Sequence, residues 1–340
     1  MRLVPTVLTG AATLALTLAP LAASAAPRQH SFAPGDQAYV DVAVATLWTG
    51  PGLARRIDAP SLTNPVDLRQ WSLNLQHTQD REWLSNDKLE TQALLGQSVH
   101  VTDVDGEWVR VLVAGQPTPR EEGGYPGWLP AAQLTAAPEF GRTFATAPHA
   151  VVTARTTWLS KDPAGRNPTT EISFTTELPV VGATPRALQV SLPGGGNAWV
   201  DPHDVDVRET GEKPPTPTGQ DIVDTGMRFL GLRYLWAGVS AFGFDCSGFT
   251  HTLYKAHGIT IPRDSGPQSR GGNPVARDRL RPGDLVFFAG PGGTGRVHHI
   301  AVYAGGGMIL QSPNSARNVE LVDLATFDVA KQYAGARRYL

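Results

Sequence analysis

Residues 242–250 read 242-FGFDCSGFT-250 and contain Cys246, the only cysteine in this 340-residue chain. Asp245 suits the N-cap of a helix that starts at Cys246, and apolar residues recur at helical spacing as far as Ala256, with Gly258 as the stop. At the first position of a helix, a thiol faces unpaired backbone N–H groups and the positive end of the helix dipole. The stretch therefore predicts a reactive cysteine. A buried structural cysteine is the alternative.

The beginning of the chain has the pattern of an export signal. Arg2 precedes an apolar run that reaches Leu18, and Ala23-Ser24-Ala25 forms a small-residue cleavage site. We therefore expect residues 1–25 to be a signal peptide and the mature chain to be exported, whether periplasmic, wall-associated or secreted. No later segment is apolar enough for stable membrane insertion. An exported chain with a single thiol forms no internal disulfide, so the thiol is either buried or used.

The composition argues against some partners and some folds. The formal net charge of −2 disfavours nucleic acid and anionic membranes as partners. The 36 glycines and 28 prolines favour short strands and frequent turns over a helical bundle.

The clearest boundary is the polar, proline-rich segment 209-ETGEKPPTPTG-219. Before it, short β-branched runs alternate with turn signals, which is typical of small barrels. In 108-WVRVLV-113, the three valines share one face, as expected of a strand with a buried side. We predict two small all-β barrels, residues 26–140 with a helical insertion and residues 141–208, and then a linker at residues 209–218.

Residues 219–340 have a different pattern. A helical stripe of Val223, Met227 and Leu230 precedes the Cys246 helix, and the runs "RPGDLVFFAG" and "HHIAVYAGGGMILQS" then read as strands. Helices followed by an antiparallel sheet predict an α+β domain.

The last of these runs predicts a hairpin that offers a base to the thiol. A loop at residues 304–306 would set His299 directly opposite Gln311, where the Gln carbonyl can accept a hydrogen bond from one ring nitrogen. The same register would pair two sets of apolar residues, Ile300 with Leu310 and Val302 with Met308. The other ring nitrogen would then meet the thiol.

Other interpretations of this hairpin stay open. His299 and Gln311 could be a partly exposed strand pair without chemistry. His298 is a rival base, but strand alternation turns it to the opposite side. A metal site that uses the two histidines is disfavoured, because no second cysteine, H-E-x-x-H motif or carboxylate cluster accompanies them.

Three motifs in order, "YLWAGVSAFGFDCSGF", "RPGDLVFF" and "HHIAVYAGGGMILQS", resemble the NlpC/P60 cysteine peptidases, whose papain-like domain cuts bacterial cell-wall peptides. The resemblance covers residues 220–340. It implies a nucleophile at Cys246, a base at His299 and an orienting residue at Gln311, where many relatives carry His. The implied fold is an NlpC-type α+β catalytic domain behind two bacterial SH3-like barrels.

The N-terminal half resembles the YkfC-like branch through "ETQALLGQSVHV", "GEWVRVLVAGQPT" and "GYPGWLPAAQL". Those enzymes are γ-D-glutamyl-L-diamino acid endopeptidases, and an acid and a tyrosine of the first barrel help to bind the substrate's terminal amine. The implied substrate-binding positions are Glu90, Tyr125, Tyr234, Trp236, Ser247, Asp264 and Ser265.

The resemblance therefore implies hydrolysis of peptidoglycan stem peptides that begin with free L-Ala, without a metal or cofactor. Two other functions remain open: a wall-binding module with a vestigial peptidase domain, and a thiol amidase or acyltransferase that acts on another amide. The binding residues also have structural interpretations, since Glu90 could be a charge on a helix face, Tyr125 and Trp236 could be interface core, and Asp264 could be a turn residue.

Overall fold

The computed structural model describes residues 31–328 and 330–340. The predicted signal peptide lies outside these residues. Within them, no helix has both the length and the apolar character that crossing a bilayer requires.

The first sheet has seven strands in the order β3-β2-β6-β5-β4-β1-β7. Its strands are β1 (Gln37–Val40), β2 (Val44–Trp48), β3 (Leu89–Leu94), β4 (Ser98–Asp105), β5 (Trp108–Val113), β6 (Tyr125–Pro130) and β7 (Leu134–Thr135). The predicted helical insertion lies between β2 and β3 and contains α1 (Leu68–Asn74) and α2 (Thr78–Ser85). The three valines of β5 are fully buried, which confirms the strand periodicity.

A second seven-stranded sheet follows α3 (Pro138–Phe144) and has the order β10-β9-β13-β12-β11-β8-β14. Its strands are β8 (His149–Val152), β9 (Thr156–Ser160), β10 (Pro168–Ser173), β11 (Glu177–Thr184), β12 (Ala187–Ser191), β13 (Asn197–Val200) and β14 (Val205–Arg208). Each sheet encloses its own apolar core. The proline-rich segment after β14 has no regular structure until α4 begins.

The C-terminal domain packs helices against an antiparallel sheet of order β17-β22-β18-β19-β20-β21. Its helices are α4 (Gly219–Met227), α5 (Cys246–Ala256), α6 (Ser265–Arg270) and α7 (Leu324–Phe327). A two-stranded ladder, β15 (Val239–Ser240) with β16 (Gly243–Phe244), leads into α5. The sheet strands are β17 (Asn273–Val275), β18 (Leu285–Gly290), β19 (Thr294–Gly305), β20 (Met308–Gln311), β21 (Glu320–Asp323) and β22 (Tyr333–Arg338). The predicted α+β class is confirmed.

The helix that carries the thiol starts where its sequence predicts. The Asp245 side chain caps α5 by accepting a hydrogen bond from the Gly248 N–H at 2.6 Å. A Cβ atom at Gly248 would meet the carbonyl oxygen of Gly238 at 2.0 Å, so this position tolerates only glycine. Gly258, with φ of 75°, follows the helix end. In the D-C-S-G run, the aspartate thus caps the helix and the glycine permits a close contact with neighbouring backbone.

The preceding helix is shorter than predicted. Helix α4 ends at Met227, and Leu230 lies beyond it with 39% of its surface exposed, so its place on the apolar stripe was wrong. Val223 and Ile222 are buried as expected. After Met227 the chain turns, and the backbones of Gly231 and Leu232 form hydrogen bonds with Val319.

The predicted register of the hairpin was wrong by two residues. Strand β19 pairs Val302 with Leu310 and Gly305 with Met308, with an irregularity between residues 303 and 305. The turn residues Gly306 and Gly307 both have positive φ, 59° and 82°, which suits a two-residue turn. Because the observed register is shifted by an even number of residues, each side chain stays on its predicted face of the sheet. His299 and Gln311 are therefore diagonal neighbours and not directly opposite.

Candidate active site

Cys246 is the first residue of α5 and is buried, with 8% of its surface exposed. Helix α5 packs against β19. The backbone N–H groups of Ser247 and Ile300 donate hydrogen bonds to the Cys246 sulfur and lower the pKa of its thiol. Ile300 directly follows His299. The fold thus brings the helix start and the His299 strand together around the sulfur.

His299 is buried on β19 with 6% exposure, and its ring lies between Phe288 and Phe327 at centroid distances of 5.6 Å each. Its Nε2 lies 2.7 Å from Gln311 Oε1, and Gln311 is fully buried. This bond leaves Nδ1 as the nitrogen available to a thiol. His298 is exposed and its Nε2 lies 2.9 Å from the Ala289 carbonyl oxygen, so the alternation that ranked His299 above it holds.

Burial keeps both reacting groups neutral in the resting site. It raises the pKa of the Cys246 thiol to about 12, and the Asp245 carboxylate adds to this effect while Arg263 opposes it. Burial also lowers the pKa of His299 to about 4, although the hydrogen bond that its ring shares with the Gln311 carbonyl oxygen acts in the opposite direction. Neither group ionises alone near neutral pH. Passing the proton from the sulfur to Nδ1 creates both charges in one step, so each stabilises the other.

A buried arginine that the sequence analysis missed neutralises the helix cap. Arg263 is 1% exposed and lies 2.6 Å from Asp245 Oδ2 and 3.1 Å from Oδ1. It also donates to Thr91 Oγ1 in the first barrel at 3.0 Å and to Ser247 Oγ at 3.1 Å. The Asp245 carboxylate next to the thiol is therefore balanced. The sequence did carry a signal, since Arg263 directly precedes Asp264, one of the substrate-binding positions that the resemblance implies.

Tyr234 is buried close to the thiol, and burial together with the Cys246 and Asp245 charges raises its pKa well above the ordinary value. Its hydroxyl therefore stays protonated and can donate. Trp236 contacts the first barrel instead, where its Nε1 donates to the Leu89 carbonyl at 3.2 Å. This contact matches the interface interpretation of Trp236.

The first barrel and the peptidase domain meet in a cluster of polar side chains. Tyr125 Oη lies 3.1 and 3.0 Å from the two Asp264 carboxylate oxygens. Glu90 lies on β3, so its interpretation as a helix-face charge was wrong. Its carboxylate binds Arg120, with Oε1 2.8 Å from Nη2, and Arg120 Nη1 lies 3.3 Å from Tyr125 Oη. Arg120, which the sequence analysis missed, thus joins Glu90 to Tyr125, and Tyr125 contacts Asp264 directly.

Burial shifts the pKa values of Tyr125 and Asp264 in this cluster. It raises the pKa of Tyr125, with the Asp264 charge adding to the effect, so the phenol remains a donor. It also raises the pKa of Asp264, although Arg263 and the Tyr125 hydrogen bond act in the opposite direction. A cation that reached Asp264 would favour its ionised form.

The two predicted serines have different surroundings. Ser247 Oγ is already held by Asp245 Oδ1 at 3.2 Å and by Arg263, inside the network described above. Ser265 is the first residue of α6 and is half-buried. Only Ser265 therefore has an accessible position at the start of a helix.

Profiles of two families match the chain. The NlpC/P60 family matches residues 231–338, and the YKFC SH3b2 domain matches residues 152–207. Among characterised proteins, a gamma-D-glutamyl-L-lysine dipeptidyl-peptidase of Bacillus cereus is 50% identical over 305 residues, which cover 89% of this chain and 91% of the relative.

Two further similarities extend over most of the chain. A gamma-D-glutamyl-L-lysine dipeptidyl-peptidase of Bacillus subtilis is 35% identical over 299 residues, 87% of this chain and 96% of the relative. The crystal structure of an NlpC/P60 family protein from Bacillus cereus has a TM-score of 0.86 at 50% identity and covers 90% of this chain and 100% of its own. The resemblance and the fold class predicted from the motifs are confirmed.

Proposed function

The chain belongs to the NlpC/P60 family and is a cysteine peptidase related to peptidoglycan, and from this membership we propose that it cleaves stem peptides with a free N-terminal L-Ala at the γ-D-glutamyl–L-diamino acid bond. The observation that carries the proposal is the contact of Tyr125 Oη with Asp264 at 3.0 Å. It joins a hydroxyl of the first barrel to a carboxylate of the peptidase domain. A free ammonium is best held by such carboxylates and hydroxyls in a sheltered site.

In the proposed reaction, the proton of the Cys246 thiol passes to Nδ1 of His299 and the sulfur attacks the γ-carbonyl carbon of D-Glu. The developing oxyanion accepts hydrogen bonds from the backbone N–H of Cys246 and from the Tyr234 hydroxyl. When the C–N bond breaks, His299 gives its proton to the departing α-amine of the diamino acid. An acyl-enzyme, L-Ala-γ-D-Glu on sulfur, remains.

Water then completes the cycle. His299 takes a proton from the water as it attacks the thioester carbon, and the sulfur leaves as the thiol once the proton returns. The products are the dipeptide L-Ala-γ-D-Glu and the shortened peptide. The dipeptide length follows from the amine pocket, because a pocket that ends the cleft admits two residues before the cleaved bond.

The substrate's N-terminus tests this function directly. Mass spectrometry of products from L-Ala-γ-D-Glu-L-Lys and from its N-acetylated form would identify the bond and the requirement for the amine. We expect the dipeptide from the free peptide and at least tenfold slower cleavage of the acetylated one, since its blocked amine offers the carboxylates no charge. Equal rates would remove Glu90 and Asp264 from amine binding.

We also propose that the enzyme is exported, supported by the signal-like residues at the start of the chain. N-terminal sequencing of the protein recovered outside the cytoplasm should read from Ala26. A full-length chain retained inside the cell would contradict export and leave the peptidase chemistry untouched.

A further inference from the structure

Gln311 forms hydrogen bonds through both ends of its side-chain amide, one with His299 and one with Glu320. Strand β20 pairs Gln311 directly with Glu320 at the start of β21. Gln311 Nε2 lies 3.0 Å from Glu320 Oε1, while Gln311 Oε1 faces His299 Nε2 at 2.7 Å. Arg317 binds the other Glu320 oxygen at 2.7 Å. A continuous hydrogen-bonded chain thus runs from His299 to Arg317.

The chemistry of the amide fixes the direction of this chain. An ionised carboxylate only accepts hydrogen bonds, so the Gln311 amino group must face Glu320 and its carbonyl must face His299. A carbonyl only accepts as well, so His299 Nε2 must carry the hydrogen. Neutral imidazole has one N–H, and Nδ1 is therefore left with the lone pair that a thiol proton requires.

We propose that Glu320 is a positioning residue that selects this tautomer of His299 through the orientation of the Gln311 amide. The inference rests on the proposed role of His299 as the base. It also accounts for the departure from the usual His at position 311. An amide can face its neighbour in two ways, so a glutamine at this position needs a second residue that permits only one.

Glu320→Gln is the sharpest test, because Arg317 only donates. The introduced amide must turn its oxygen towards Arg317 and its amino group towards Gln311. The Gln311 amide then flips and presents its amino group to His299, which moves the imidazole hydrogen to Nδ1. We expect kcat to fall about tenfold with KM unchanged, a smaller loss than when a triad partner next to the His is changed.

The double variant Arg317→Met with Glu320→Gln separates this mechanism from a loss of packing. Without the arginine, the introduced amide is free to turn its oxygen to Gln311, so kcat should recover at least threefold over the single variant. Glu171→Gln is the matched control, since Glu171 also pairs with an arginine, Arg69 at 2.6 Å, but lies on the second barrel. It should keep the rate of the parent enzyme.

Nitrogen-15 NMR of histidine-labelled protein reads the tautomer without any turnover. In the parent enzyme, His299 should show a protonated Nε2 and an unprotonated Nδ1, and Glu320→Gln should shift both signals towards the other tautomer. An unchanged kcat or unchanged nitrogen shifts in Glu320→Gln would overturn the proposal. Failure of His299 as the base would instead appear as a His299→Asn enzyme that keeps the parent kcat, so the two failures differ.

A second inference concerns the cation that already fills the amine pocket. Arg120, on the loop between β5 and β6, has its guanidinium on Glu90 at 2.8 Å and over the Tyr125 ring at 5.3 Å. The Arg120 side chain is 45% exposed, whereas that of Glu90 is 15% exposed. The chain's own cation thus occupies the carboxylate that the proposed function assigns to the substrate's ammonium.

We infer that Arg120 is a displaceable cation that a free N-terminal amine replaces on Glu90. Arg120 binds both Glu90 oxygens, but its side chain is 45% exposed, so water hydrates the displaced guanidinium while the incoming ammonium takes over the charge of Glu90. A peptide with an ammonium restores the charge balance of Glu90, while a blocked peptide would leave Glu90 unpaired if it moved Arg120 aside. Arg120 thereby adds to the selectivity for free amines that the proposed function requires.

Arg120→Met keeps the length of the side chain and removes the charge. We expect KM for L-Ala-γ-D-Glu-L-Lys to fall about two- to fivefold, the range of an exposed ion pair, and kcat to stay constant. Arg142→Met, which removes an exposed arginine paired with Glu139, is the control. A raised KM would overturn the inference, since Arg120 would then help to bind substrate. Equal cleavage of free and acetylated peptides by the parent enzyme would instead refute the amine pocket itself.

Discussion

The two barrels have the same seven-strand architecture but meet the peptidase domain with different chemistry. The first barrel presents charged and polar side chains: Arg120 joins Glu90 to Tyr125, and the Tyr125 hydroxyl contacts Asp264 of the peptidase domain. The second contacts the domain through buried groups, such as Ser173 Oγ, which accepts from the Ala241 N–H at 2.9 Å. Two barrels of one fold thus differ in the side chains that they bring to the peptidase domain, and of the two, the proposed function assigns substrate recognition to the first barrel alone.

In the proposed reaction, the peptidase domain supplies the reacting groups. Changes there should affect kcat for every substrate, changes in the first barrel should affect KM for free amines, and changes in the second barrel should affect stability alone. Each expectation can fail separately.

The largest effect belongs to the nucleophile. Cys246→Ala should reduce kcat/KM at least about a thousandfold, for free and acetylated peptides alike, because no other group forms the acyl-enzyme. Product formation measured by mass spectrometry and folding measured by circular dichroism would be compared with the parent enzyme. A folded variant that retained the parent rate would exclude the thiol mechanism.

Removing the shared hydroxyl should separate recognition from chemistry. Tyr125→Phe should raise KM for L-Ala-γ-D-Glu-L-Lys about tenfold, the typical loss of a hydrogen bond to a charged group, with kcat nearly constant. Steady-state kinetics with free and acetylated peptides would measure this. A fall in kcat with constant KM would place Tyr125 with the reacting groups and break the distinction between the domains.

The pH dependence of stability should originate in the peptidase domain. Burial holds the pKa of His299 at about 4 against an ordinary value of 6.5, so the unfolded chain takes up this proton first as the pH falls. The contribution of His299 to stability is complete above about pH 6.5 and is lost as the pH falls towards 4. Thermal unfolding between pH 7 and 4 should show a shallower decline in His299→Asn; equal slopes would contradict the buried neutral imidazole.

The smallest effect belongs to the second barrel. Ser173→Ala leaves the Ala241 N–H without its acceptor and should lower the free energy of unfolding by about 1 kcal/mol. Denaturant unfolding would measure this change, and kcat/KM should stay within twofold of the parent value. A larger loss of activity would mean that the second barrel also positions the site.

The Cys246 helix was predictable in detail because its signals are local. The cap, the first helical position and the glycine stop all lie within residues 245–258, and each acts on neighbouring backbone. The hairpin was predictable in its faces but not in its register. Alternation assigns the His299 and Gln311 side chains to one face, whereas three glycines in the turn leave its length open.

The long-range partners were not predictable from local pattern. Arg263 reads as a loop residue, yet it joins Asp245, Ser247 and Thr91 of another domain. Arg120 and Glu320 carry no motif at all. Such contacts join residues that are far apart in the sequence, so they exist only once folding has brought the opposite charges together.

The amino-acid sequence by itself determined the thiol, its helix, the histidine on the facing strand and the family, because each depends on residue type and short spacing. Tertiary structure alone decided that Arg120 lies against Tyr125 and that Glu320 bonds to Gln311. The physical reason is that a hydrogen bond or ion pair depends on distance in space. Those distances arise from the packing of a barrel on a peptidase domain and from the pairing of three strands.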